Sequence, residues 1–148
     1  MLAASPALVV LAPACSAGDC EVQIVSLAAR RVDILTLPPG SSVASAAFSP
    51  DGAFLALQVS SGPGGDGGGL ATRLEVAATA TGTLTQVPGI SLSSDALVGF
   101  GWVPGRDSLV AELSFTTKVQ LASWVPGAPR LAVTVLRPGR GLAGVVVG

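Results

Sequence analysis

Few side chains in this chain could do chemistry: it has nine carboxylates and two cysteines, and no histidine or tyrosine. Without an imidazole, neither a Ser-His-Asp nor a Cys-His arrangement can be assembled, and histidine acid/base work is excluded with it. A carboxylate pair of the glycosidase kind would have to come from acids that mostly fall in predicted turns or on solvent-facing strand positions. The best placed are Asp51 and Asp107, in two similar Pro/Gly turns. Aspartate beside Pro and Gly is what a tight turn requires, so both read as turn formers. The run Ser60–Gly69 is rich in glycine, but no helix and no Lys-hydroxyl pair follows it, so it is not a phosphate cradle. Asp66 within it is one carboxylate, short of the roughly six to eight oxygens calcium takes. The expectation is a chain that is not an enzyme and has no catalytic, cofactor-binding or metal-binding residues.

Cys15 and Cys20 frame a short polar connection between two predicted strands. Zinc would want four ligands and finds only this pair, so a disulfide or two free thiols is the reading. A bridge here would stabilise the loop modestly and place the chain in an oxidising compartment. Export to the periplasm, the cell surface or the medium is therefore favoured over the cytoplasm. The segment before Cys15 is apolar and has the outline of a signal or lipoprotein peptide, which would make Cys15 a lipid anchor. No Lys or Arg precedes Arg30, however, and Pro13 sits where cleavage would fall. These details favour Ala7–Ala12 as the second strand of a sheet whose first strand lies outside the chain.

The elements that must position these residues are organised around Phe48-Ser49-Pro50-Asp51-Gly52. Pro50 fixes φ, Asp51 can bond the backbone two residues on, and Gly52 accepts positive φ. Apolar or small residues flank the turn on both sides, so it joins two strands of a hairpin. The order recurs in Gly99-Phe100-Gly101-Trp102-Val103-Pro104-Gly105-Arg106-Asp107, with Phe48 and Trp102 roughly 54 residues apart. That offset exceeds the roughly 40 to 50 residues of a propeller blade. The glycine-rich run, read as a mobile insertion at 60–69, accounts for the excess.

On these residues the chain resembles the TolB-like and WD-repeat-like β-propellers. The resemblance rests on Phe48-Ser49-Pro50-Asp51-Gly52-Ala53-Phe54-Leu55-Ala56, with Trp102-Val103-Pro104-Gly105 as a degenerate second copy, and it lacks the Trp-Asp dipeptide of true WD repeats. It implies about two and a half to three blades, and a noncatalytic scaffold in which loops on one rim meet a partner. Phe48 and Trp102 would then pack between blades, and Pro50, Asp51, Gly52, Pro104, Gly105 and Asp107 would form the blade turns.

The rest of the sequence agrees with an all-β chain. Alternating runs follow one another between Gly and Pro turns, and no window shows helical spacing. About eleven strands are expected in consecutive four-stranded antiparallel meanders. They divide into an incomplete three-stranded blade at 1–37, a blade at 38–92, a blade at 93–136, and a tail at 137–148 that could begin another strand. So few blades cannot close a ring of roughly four to eight. The chain therefore reads as an incomplete propeller or a fragment of a longer one. Charged residues make up only 11% and hydrophobic residues 49%, and mean hydropathy is +0.67, so such a surface wants a protein partner, further blades or self-association. A net charge of -1 with scattered Lys and Arg gives nucleic acid no basic footprint. The expected function is a protein-interaction scaffold; the alternative is a propeller domain accessory to a hydrolase or peptidase whose catalytic domain lies elsewhere.

Overall fold

The computed structural model describes residues 2–11, 21–62, 71–93, 97–116 and 118–136. Every regular element among them is a strand. The first sheet holds β1 (Ala3–Ala4), β2 (Leu8–Leu11), β3 (Glu21–Ser26) and β4 (Arg31–Thr36). The second holds β5 (Ser41–Phe48), β6 (Phe54–Ser61), β7 (Ala71–Ala78) and β8 (Leu84–Ser93). The third holds β9 (Leu97–Trp102), β10 (Leu109–Phe115), β11 (Lys118–Trp124) and β12 (Ala132–Leu136). Each sheet is an antiparallel meander in which strands pair only with their neighbours in sequence. The fold is thus all-β, three blades of an unclosed propeller.

The sheets stack in chain order, with their first strands side by side: β5 lies next to β1 on one flank and to β9 on the other. Period-two alternation on β6 explains how one sheet serves two neighbours. Leu55, Leu57 and Val59 pack with Val10, Val22, Ile24 and Leu35 of the first sheet. Ala56 points the opposite way, into a second core with Leu109, Ala111, Leu113 and Trp124 of the third. Among the described residues, only the middle sheet is therefore covered on both faces.

Several expectations need correction. The first sheet has four strands where three were expected, because Ala3 and Ala4 pair with Val10 and Val9. The strand thought to lie outside the chain is this two-residue β1, too short for periodicity to reveal it. The described residues accordingly form twelve strands. Ser60 and Ser61 belong to β6, opposite Thr72 and Ala71, and not to the insertion expected from residue 60. Strand pairing in mid-sheet outweighs their weak intrinsic preference for it. The rest of that insertion, from residue 63, lies outside the described residues. β8 runs through Pro88-Gly89 to Ser93 by way of an irregularity, where the register shifts between Arg73 and Glu75. Gly89 takes φ 73° there. Pro88 is tolerated because β8 is the edge strand of its sheet.

Candidate functional site

The three first-to-second-strand hairpins define one rim of the stack. In the middle sheet, Gly52 N–H donates to Ser49 O (2.9 Å), closing a turn with Pro50 and Asp51 at its centre. Gly52 follows with φ 73°, a type I turn with a left-handed fourth residue. Ser49 is buried; its hydroxyl donates to Asp51 Oδ1 (2.6 Å) and accepts from Phe54 N–H (2.9 Å). Asp51 Oδ1 also accepts from Ala53 N–H (3.0 Å). The Ser49 hydroxyl first, and the Ala53 amide second, hold the exposed Asp51 carboxyl below the ordinary carboxylate range. Both hydrogen bonds favour the ionised form, and neither comes from a ligand-binding group.

In the third sheet, Arg106 N–H donates to Val103 O (3.1 Å) and Gly105, one residue earlier in its turn than Gly52, carries φ 70°. With Pro104 ahead of it this is a type II turn. The two turns are equivalent in place and different in type, which leaves Asp107 exposed beyond the bend. Asp51 and Asp107 are thus turn residues that the structure gives no shared environment.

The first sheet carries a third version. Ser5 Oγ accepts from Leu8 N–H (3.1 Å), and Ser5 N–H donates to Leu8 O (2.8 Å). This repeats the Ser49–Phe54 arrangement with two residues fewer. Its sequence signal, Ala3-Ala4-Ser5-Pro6 beside Ala46-Ala47-Phe48-Ser49-Pro50, was available and was missed because no aromatic, Asp or Gly accompanies it.

Phe48 and Trp102 occupy matching places. Phe48 pairs with Leu55 and packs into the core between the first two sheets. Trp102 pairs with Leu109 and is buried in the core between the last two. Its ring stacks on Phe54 at a centroid distance of 6.0 Å, and its Nε1–H donates to Ala47 O (3.0 Å). Trp124 is buried in the same core, with Nε1–H donating to Ala128 O (2.8 Å). The Phe48 and Trp102 rings are committed to packing between sheets.

One acid expected on a solvent-facing strand position lies elsewhere. Glu75 is buried and ion-paired with Arg73, whose Nη2 also donates to Ser41 Oγ (3.2 Å). Alternation in Thr72-Arg73-Leu74-Glu75-Val76 predicts the charged pair on an open face, but the middle sheet has no open face. The usable signal was their spacing of two, which puts opposite charges side by side on a strand.

Shallow recesses open where consecutive sheets fan apart. One of about 260 Å³ is lined by Phe54, Thr83, Thr85, Trp124 and Pro126; another of about 210 Å³ is lined by Arg31, Asp33, Leu35, Thr79 and Gly82. They occupy corresponding places, as Arg31 and Asp33 hold the positions in their sheet that Thr83 and Thr85 hold in the next. A feature repeated at each sheet junction is a result of blade geometry. Among the described residues no three Asp, Glu, His or Cys side chains gather where a metal ion could sit, and no helix is long and apolar enough to cross a membrane. Cys15 and Cys20 lie outside the described residues.

What remains is the pair of terminal faces. On the first sheet, Leu11, Val32 and Ile34 are exposed, Ile34 at 58%. On the third, Val110, Val119 and Leu121 are half-buried, beside Gly99 and Gly101. These apolar faces are the surface on which the structure could act.

No protein-family model matches the chain, and no curated protein matches it. Among solved structures it is similar to the β-propeller domain of the Trilobed protease from Pyrococcus furiosus, described as having an open velcro topology. The TM-score is 0.65 at 13% sequence identity, over 93% of this chain and 42% of that one. This chain thus spans less than half of that domain, and what the likeness establishes is its architecture: a β-propeller, here with three blades and no closure.

Proposed function

We propose that the chain is a noncatalytic propeller scaffold that works by docking further protein on its two terminal sheet faces, as part of a larger propeller assembly. The observation that carries this reading is the contrast between the sheets. The middle one has Leu55, Leu57 and Val59 buried on one face and Ala56 on the other, whereas each terminal sheet leaves an apolar face open. Exposed contiguous apolar surface on a folded protein marks an interaction site. The finer TolB-like character implied by Phe48–Ala56 belongs to this proposal, as does export, which rests on the Cys15–Cys20 pair. The accessory-domain alternative draws on the likeness to a protease propeller, and that likeness is one of fold only.

Light scattering after size exclusion, together with titration of an apolar fluorescent dye, tests the reading. The expected result is self-association, or a monomer that binds the dye on its open faces. A dispersed monomer that binds none would overturn it.

A further inference from the structure

Strand register gives each sheet two distinguishable faces. A rear face meets the preceding sheet: Leu55, Leu57 and Ala77 in the middle sheet, and Leu109, Ala111 and Trp124 in the third. A forward face meets the following sheet: Val10, Val22 and Ile24 in the first, and Ala56, Leu74 and Val76 in the middle. Counting from the hairpin, Val9, Leu11 and Val25 stand in the first sheet where Leu55, Leu57 and Ala77 stand in the second. Likewise Val110, Leu121 and Ser123 stand in the third sheet where Ala56, Leu74 and Val76 stand in the second.

The open faces are therefore one of each kind, a rear face at one end and a forward face at the other. From this we infer that the occupant of both is a second copy of this chain, stacked head to tail. The rear face of each copy covers the forward face of the other, continuing the packing already made twice within the chain. This rests on the docking reading above and specifies its partner. Contacts that join unlike patches either close into a ring or run on as a fibre. Two copies supply six sheets, within the roughly four to eight that close a propeller, so the geometry selects the closed pair. The faces fit this use chemically: the rear one carries Val9, Leu11, Val25, Val32 and Ile34 with one carboxylate, Glu21, and the forward one sets Val110, Val119 and Leu121 beside one carboxylate, Glu112.

Charged variants separate head-to-tail stacking from every other mode. The unmodified chain should run at twice its 14.5 kDa mass, by sedimentation over about a hundredfold range of concentration. Ile34→Lys, on the rear face, and Leu121→Glu, on the forward face, should each weaken the pair at least about tenfold. Circular dichroism checks that each variant keeps its strands, and Val32→Lys serves if Ile34→Lys does not fold. Mixing the two variants should restore a heteropair, because one junction is then unmodified and the other joins Lys to Glu. A monomer throughout, or an open series of larger species, overturns the inference. So does a pair that one of the two variants leaves intact, since that dimer would join like faces. A monomer that binds apolar dye would overturn this inference alone and leave the docking reading standing.

Discussion

Asp51 shows how a carboxylate in a promising place can be engaged by the turn it helps to form. Its Oδ1 accepts from the Ser49 hydroxyl and the Ala53 amide, and these two bonds lower its pKa. A carboxyl whose pKa is lower folded than unfolded adds stability above the unfolded value and loses it as pH falls through the folded one. Thermal melting should therefore show a decline in stability beginning near about pH 4 and continuing below it. Asp51→Asn should remove this part of the acid slope while leaving the melting curve at neutral pH two-state. An unchanged acid slope would mean that the Ser49 and Ala53 bonds do not distinguish the folded state. The residue was legible in the sequence as a turn former because Pro50 and Gly52 flank it. Glu75 was not, since its burial depends on a neighbouring sheet that no local pattern reports.

Hairpins carry the legible part of the fold. The matched pairs Phe48–Leu55 and Trp102–Leu109 put the two aromatics in equivalent positions, and that equivalence followed from residue order alone. The first hairpin escaped because two strand residues and Ser5-Pro6 hold too little pattern. Comparison of the other hairpins on that rim exposes a local misfit. The turns from β3 to β4 and from β7 to β8 each place a residue near their end in the left-handed region, Arg30 at φ 51° and Gly82 at φ 69°. Glycine takes that conformation freely, whereas any other residue pays about 1–2 kcal/mol. Arg30→Gly should accordingly stabilise the chain, by less than about 1 kcal/mol once the greater freedom of the unfolded glycine is subtracted. Chemical denaturation measures this, and a loss of stability would show that Arg30 contributes a contact beyond its backbone.

At the scale of the whole molecule, the three-sheet stack commits most apolar side chains to the two junctions between sheets. Propeller architecture was readable from repeated turns, but the pairing of a rear face at one end with a forward face at the other needed register. Stability should be graded along the stack, since each sheet touches only its neighbours. Native-state hydrogen exchange on the Ile34→Lys variant, held monomeric by dilution, should find the slowest amides in β6 and β7, with the first and third sheets opening at lower free energy. Equal protection in all three sheets of the isolated chain would contradict that gradient.

Among the described residues every sheet draws on one stretch of sequence, and no strand crosses from one to another. The chain is therefore built like a row of tiles, in which a tile can be duplicated or dropped without rethreading its neighbours. Its evolutionary lengthening or shortening by whole units would demand nothing of the remaining backbone except that a rear face still meets a forward one.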